Sequence, residues 1–415
     1  MAKEADPDKY GSAILNESLL PNSAPRGHAT VLQNWEREKL IPFNKPSFSP
    51  DDRSSLALAL DSDHHSGNGP FTKQAESLLS EIHGNESTAL LTPSCTHALE
   101  LAARLIDLQP GDEVIVPAYS FVTSASAFVW NGSIPKFADV DEESLDLDPD
   151  SVQERLTSRT RAICVVHYGG VAKNIEKLRN LADNHNLLLV EDNAHGLGGA
   201  QNQKTLGTFG TLSTLSFHET KNITCGEGGA LLVNDSAYLD RALMLREKGT
   251  DRTRFTLGQV DKYTWQEVGS SWVLSDLLAA LLVPQLENLR EITATRRSMW
   301  RNYREHLDAW ALDQGIRLMT PPLESEHPAH LFAMRFPTLA DRDAFIHYMR
   351  KNDVAAVFHY QALNKSPQGW RLDPDRSCPV AERAADTLVR LPLFRGLTEV
   401  QQEYIIEVAQ GFRLS

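Results

Sequence analysis

Between residues 86 and 234, short apolar runs alternate with stretches of helical pattern. The runs lie at 89–91, 113–116, 136–140, 162–167, 187–191, 211–217 and 230–233. Between the earlier ones Leu99, Ala102, Ala103 and Ile106 recur at i, i+3, i+4 and i+7, the spacing of one helix face. Near-continuous apolar strands separated by helices predict a mostly parallel sheet covered on both faces, an α/β fold. The chain contains neither an internal repeat nor a low-complexity tract.

A second region opens near Val283 with a charged helical pattern from Glu287 to about Trp310, after which Pro321, Pro322 and Pro328 break the chain. The pattern then predicts a strand over 330–336, a helix over 341–351, a strand over 355–360 and C-terminal helices, which together suit a smaller α+β domain. The first forty or so residues are polar and interrupted by Pro7, Gly11, Pro21, Pro25 and Gly27. The expected organisation is an N-terminal extension over 1–40, a large domain over 41–282 and a small C-terminal domain over 283–415.

Composition narrows the function classes. A chain of 415 residues, 41% hydrophobic and 23% charged, has enough apolar material for a sizeable core. No stretch approaches the roughly 20 apolar residues of a membrane helix, and the opening residues lack a secretory pattern. A cytoplasmic enzyme is the expectation. With 41 Lys and Arg against 55 Asp and Glu, the net charge of −14 argues against a nucleic-acid partner. It leaves room for a small anion held by a helix N-terminus. Cys95, Cys164, Cys225 and Cys378 are far apart, so neither a metal site nor a disulfide framework is expected.

In open α/β sheets ligands sit beyond the carboxyl ends of the strands, so the residues after each run carry the interest. After 89–91 come Ser94, Cys95 and Thr96, then the helix. Small hydroxyl residues at a helix start offer free amide groups to an anion, or simply cap the helix. The 187–191 run leads into Asp192, with His195 three residues on. A carboxylate at a buried strand end needs a cation, either a protonated heterocyclic nitrogen or an internal salt-bridge partner. The 211–217 run leads into His218, Glu219, Thr220 and Lys221, followed by the glycine-rich 226–229 turn. A lysine just past a buried strand is either solvated or an unsolvated amine with a lowered pKa, the form needed for Schiff-base chemistry. Taken together, in this order on a parallel sheet, the three segments compose a pyridoxal phosphate site: the helix start for the phosphate, Asp192 for the pyridinium nitrogen, Lys221 for the Schiff base.

These segments, with Gly111-Asp112-Glu113-Val114, Val190-Glu191-Asp192 and Gly226-Glu227-Gly228-Gly229, resemble the DegT/DnrJ/EryC1/StrS family of pyridoxal phosphate-dependent sugar-nucleotide aminotransferases, of fold type I. The resemblance runs from about Ile41 to Phe394. It implies Lys221 as the Schiff-base lysine, Asp192 at the ring nitrogen, Phe121 stacked on the ring and His195 near the ring hydroxyl. Cys95, Thr96 and Ser216 then hold the phosphate. It also implies a homodimer in which the neighbouring subunit completes the site at Ser271, with Lys262 or Tyr263 close by. His330, His359 and Tyr360 are expected to face the sugar nucleotide or to be structural. Two departures stand out. Gly269-Ser270-Ser271-Trp272 replaces the family's usual Gly-Tyr-Asn-Tyr, and His359-Tyr360-Gln361-Ala362-Leu363-Asn364 lacks the usual proline and final histidine.

Segments 216–222, 246–250, 260–265 and 269–271 match the branch that makes dTDP-4-amino-4,6-dideoxyhexoses. The resemblance therefore implies transfer of the amino group of L-glutamate to C4 of a dTDP-4-keto-6-deoxy-glucose type of substrate, releasing 2-oxoglutarate. The alternatives are amination at C3 of a dTDP-3-keto-6-deoxyhexose, or a non-catalytic cofactor-binding regulatory protein. Lys221 argues against the branch of dehydratases that carry a histidine there, and no glycine fingerprint supports a nicotinamide enzyme.

Overall fold

Seven strands form the main sheet, in the order Thr88–Thr92, Gly229–Val233, Leu212–Ser216, Leu188–Asp192, Thr160–Val166, Glu113–Pro117, Ile134–Ala138. Only Gly229–Val233 runs antiparallel to its neighbours; the other six share one direction. This computed structural model describes residues 40–374 and 376–414. The expected N-terminal extension, Leu40 excepted, lies outside the described residues. Every run read as a strand coincides with one of the seven to within two residues at each end.

The runs are continuous because each strand is buried on both faces, with alternate residues serving each. Val114, Val116, Cys164 and Val190 pack with Leu99, Ala102, Ala103 and Phe128 on one side. Ile115, Ile163, Val165 and Leu189 pack with Val152, Ile175 and Leu178 on the other. Leu91, Leu215 and Leu232 meet Leu79, Leu282 and Leu286 at the antiparallel edge.

Period two also separates two neighbouring carboxylates. Glu191 faces the opposite side of the sheet from Asp192 and is fully buried. It accepts from the amides of Gly207 (2.9 Å), Phe209 (2.7 Å) and Gly210 (2.6 Å), and pairs with His167 Nε2 at 2.8 Å. Burial opposes its ionisation, but the His167 bond and those amides outweigh it and hold the carboxyl below its usual range. Burial likewise opposes the charge on His167, and Glu191 overrides it to raise the imidazole above 6.5. The carboxylate's share of stability is complete above 4.5 and is lost as pH falls through the lowered value; the imidazole's is complete below 6.5 and is lost as pH rises through the raised one. The pair contributes most between those limits. Glu191→Gln, which strands a buried imidazolium, is expected to cost about 3 kcal/mol near pH 6. In unfolding of the full chain across pH, the deficit should narrow as His167 loses its proton; a deficit independent of pH would contradict the pairing.

The region after the main sheet departs from expectation in two places. The charged helix expected from Glu287 is preceded by a separate helix, Asp276–Glu287, and itself runs Leu289–Asp313. The first is buried almost all round, so it has no polar face to reveal a helical period. It also holds Pro284, which cannot donate to Ala280 O; the Ser55 hydroxyl does so instead, at 2.6 Å. The expected boundary at 282/283 falls inside this helix. The second departure is an unanticipated strand, Leu388–Leu391. It lies inside a four-stranded antiparallel sheet, between Phe332–Arg335 and Val357–Phe358, with Arg317–Leu318 at the far edge. A small third sheet joins Ala200–Gln201, Lys204–Thr205 and Ser325–Glu326. Among the described residues no helix is long and apolar enough to cross a membrane.

Candidate active site

The helix Cys95–Leu105 begins directly over the carboxyl end of the first strand. Ser94 caps it, its side chain accepting from His97 N at 3.2 Å while its carbonyl accepts from Ala98 N at 3.1 Å. The amides of Cys95 and Thr96 therefore have no acceptor within the helix and are available to an anion. Gly229 makes this close approach feasible. It pairs with Thr92 on one side and Ser216 on the other, and a Cβ there would lie 2.4 Å from Cys95 N and from Ser94 C. Gly229→Ala must push this turn away, at about 1–3 kcal/mol of strain. It is expected to weaken pyridoxal phosphate binding roughly 10- to 100-fold, as read by absorbance titration; unchanged affinity would show that the helix start does not hold the phosphate.

Asp192 ends its strand facing the same space and is only 4% exposed. Ser124 Oγ donates to its Oδ2 at 2.6 Å and Ala194 N to its Oδ1 at 3.2 Å. The Cys95 thiol lies 4.0 Å from Oδ1 and 3.5 Å from Thr214 Oγ1. Burial and the nearby Asp192 charge push that thiol far above its usual range, so it stays protonated. The carboxylate keeps lone pairs free for one more cationic donor.

Lys221 sits on a turn that the glycine-rich segment folds back upon. Phe217 N donates to Gly228 O (2.8 Å), Glu219 N to Gly226 O (2.9 Å) and Lys221 N to His218 O (2.9 Å). Gly226 occupies φ +92°, where a side chain is strained. The Lys221 amine is brought down to about 8, chiefly by burial; the Asp192 carboxylate opposes the drop and Arg390 reinforces it. About a tenth of such an amine is neutral at pH 7, against well under a thousandth for an ordinary lysine.

Three histidines close the opposite wall. The Gly169 amide donates to His195 Nδ1 at 3.3 Å, leaving Nε2 to face Tyr360 Oη at 3.4 Å. His330 stacks on His195 at a centroid distance of 4.0 Å, its Nδ1 donating to Asn222 Oδ1 at 3.1 Å. Asn222 is the residue after Lys221, so the lysine turn and the histidine stack are tied together. His359 Nδ1 meets Tyr168 Oη at 2.8 Å, and its ring stacks on Tyr360 at 3.6 Å. Burial holds all three histidines well below 6.5, as neutral imidazoles.

Of the eleven residues expected at the site, ten line one cavity of 660 Å³. Phe121, half exposed, lies at its mouth with its ring 6.1 Å from Tyr360, and the Ser216 hydroxyl accepts from His218 N at 3.5 Å. Ser271 is the exception: it is exposed, and its backbone bridges to Glu247, away from this cavity. Sequence reasoning missed Ser124, which follows Phe121 by three residues at a helix start, and Arg390, on the unforeseen strand. The donor set fits pyridoxal phosphate: free amides and a hydroxyl for the phosphate, a braced carboxylate for the ring nitrogen, an amine of lowered pKa for the carbonyl carbon.

Similarity to known proteins agrees. Residues 47–410 match the DegT/DnrJ/EryC1/StrS aminotransferase family. A GDP-perosamine synthase of Vibrio cholerae is 29% identical over 379 residues, covering 90% of this chain and 99% of that protein. Among solved structures, the aminotransferase TlmJ from Streptoalloteichus hindustanus superposes with a TM-score of 0.82 at 28% identity, covering 89% of this chain and 98% of that one. DesV from S. venezuelae gives 0.78 at 29%, covering 86% and 93%. The chain belongs to the DegT/DnrJ/EryC1/StrS aminotransferase family and is a pyridoxal phosphate-dependent, fold type I transaminase.

Proposed function

We propose that this transaminase moves the amino group of L-glutamate onto C4 of a dTDP-linked 4-keto-6-deoxy-glucose, yielding a dTDP-4-amino-4,6-dideoxyhexose and 2-oxoglutarate. The observation that carries the chemistry is the Lys221 amine, held at about 8 in the same cavity as the braced Asp192 carboxylate. The choice of sugar nucleotide is supported by the segments 216–222, 246–250, 260–265 and 269–271. A GDP-linked sugar is the second reading, favoured by the name of the Vibrio cholerae relative.

Pyridoxal phosphate, when bound, supplies an electron-accepting ring through which nitrogen passes between an amino acid and a keto group. The chain supplies the rest. Cys95, Thr96 and Ser216 bind the phosphate. Asp192 holds the proton on the ring nitrogen, itself oriented by Ser124 and Ala194. Phe121 would cover one face of the ring, and the neutral His195 would meet its hydroxyl. Lys221 Nζ carries a proton between the donor's α-carbon and the cofactor's C4′, as base and then as acid. The same residues work in reverse to deliver nitrogen to the keto sugar, with His330, His359 and Tyr360 facing the sugar nucleotide. In this reading the part that carries the seven-stranded sheet binds the cofactor and the small C-terminal part that carries the four-stranded sheet completes the cavity, in a cytoplasmic enzyme.

The same reading makes the working unit a homodimer, with Ser271 reaching the partner's phosphate. The exposed side chains of Phe255, Tyr263, Trp265 and Val268, on the segment leading to Ser271, support an interface there.

The test is the absorbance of the purified protein with pyridoxal phosphate, before and after L-glutamate. Bleaching of the yellow band establishes the donor half-reaction. The reaction is then completed with the dTDP-4-keto, dTDP-3-keto and GDP-4-keto 6-deoxyhexoses in turn. Restored yellow colour and a 4-amino product with the first alone support the proposal; a 3-amino product, or restoration only by the GDP sugar, replaces it. A band that ignores glutamate means a different donor or no transamination, the behaviour of a regulatory protein.

A further inference from the structure

A second cavity, of 680 Å³, shares no lining residue with the catalytic one. Its volume falls in the range of small-molecule sites. Much of its lining is apolar. Leu145, Met334 and Leu388 are buried there, and Leu312 and Leu323, which line it too, are 83% and 101% exposed. A single exposed leucine is ordinary, but two on the lining of one cavity add apolar surface where a ligand can cover it.

The charged groups of the lining are not evenly matched. Lys173 pairs with both Asp141 and Glu143, and Arg304 with Asp308, so those cations are met. Arg317 and Arg335 are different: with Arg383, which is outside the lining, they share the single carboxylate of Glu142. Three guanidiniums on one carboxylate leave a local surplus of positive charge. Burial, with the repulsion of Arg317 and Arg383, pushes the Arg335 guanidinium below its usual range although Glu142 opposes the drop. Among the described residues Arg317 meets Glu142 through Nη1 alone, at 3.1 Å, so its Nε and Nη2 hydrogens remain to be donated. An added anion would relieve the repulsion, and the planar fork of a guanidinium suits a phosphate or a carboxylate.

We infer that this cavity is a second ligand site, for an amphipathic anion whose apolar body lies against Leu145, Met334 and Leu388 and whose phosphate or carboxylate head meets Arg317 and Arg335. The site is separate from the transamination cavity. The inference goes beyond the functional reading above and does not depend on it.

The test uses the pyridoxal phosphate-loaded full chain and three probes, octyl phosphate, octanoate and the neutral 1-octanol, with binding measured calorimetrically. Wild type should bind at least one of the two anions, and 1-octanol roughly 10-fold more weakly. The anion bound more tightly assigns the head group. Arg317→Gln should weaken that anion roughly 10-fold and leave 1-octanol unchanged. The double substitution Leu312→Asp and Leu323→Asp, at two exposed side chains, should weaken the anion and 1-octanol together. Neither variant touches the catalytic cavity, so the yellow band and its response to L-glutamate should match wild type in both, which also shows that the fold is intact. Wild type binding neither anion, 1-octanol binding as tightly as the anions, or either variant binding every probe as wild type does overturns the inference.

Discussion

Lys221→Ala is expected to reduce turnover by roughly 10⁴-fold or more, because it removes the side chain proposed to move a proton at the donor's α-carbon. Pyridoxal phosphate should still bind through the Cys95 and Thr96 amides, but without the yellow band of the lysine-bound form. A small exogenous amine such as methylamine should recover part of the activity, which a misfolded variant would not allow. In the unmutated chain, capture of added cofactor requires the neutral amine, and the Lys221 amine loses its proton near 8. Capture should therefore accelerate roughly tenfold per pH unit on approaching that value and level off above it. Turnover within an order of magnitude of wild type in the alanine variant, or a pH profile rising to 10 and beyond, would remove Lys221 from its assigned role.

Asp192→Asn is the second large effect. The amide nearly matches the carboxylate in shape, and Ser124 Oγ can still donate to its oxygen, so the fold should survive. It carries no charge, however, and cannot hold a proton on a ring nitrogen. The electron-withdrawing power of the ring then falls, and the glutamate half-reaction should slow by roughly 10²- to 10³-fold, as expected for loss of one preorganised electrostatic partner. Cofactor affinity and the yellow band should change far less. Stopped-flow absorbance separates these quantities, and a half-reaction rate within threefold of wild type would show that Asp192 merely braces the neighbouring helix start. Its strand neighbour Glu191 predicts the opposite pattern on substitution, lost stability, because period two turns it to the buried side.

The strands of the main sheet were legible because burial on both faces leaves uninterrupted apolar runs, and a buried run ends sharply at the first group that must meet a ligand. That is why the runs 89–91, 187–191 and 211–217 could be read as strands and the residues at their ends as site residues. The helix Asp276–Glu287 was not legible, since burial all round erases the polar face that reveals a helical period. The strand Leu388–Leu391 was hidden by its length: four residues between a helix and a proline show no alternation worth reading.

From one dimension the chain determines which chemistry it can carry. A lysine, a carboxylate and a helix start follow buried strands in a fixed order, and a parallel sheet must place strand ends side by side. Local pattern suffices for this, because the geometry of a parallel sheet is the same wherever it occurs. Only the tertiary structure decided how those groups are tuned and what else meets them. Ser124 reaches Asp192 across 68 positions of chain, His330 reaches Asn222 across 108, and Arg390 lies 169 residues from Lys221 and still lowers its pKa. Desolvation and through-space charge depend on what surrounds an atom in three dimensions, and no spacing along the chain records that.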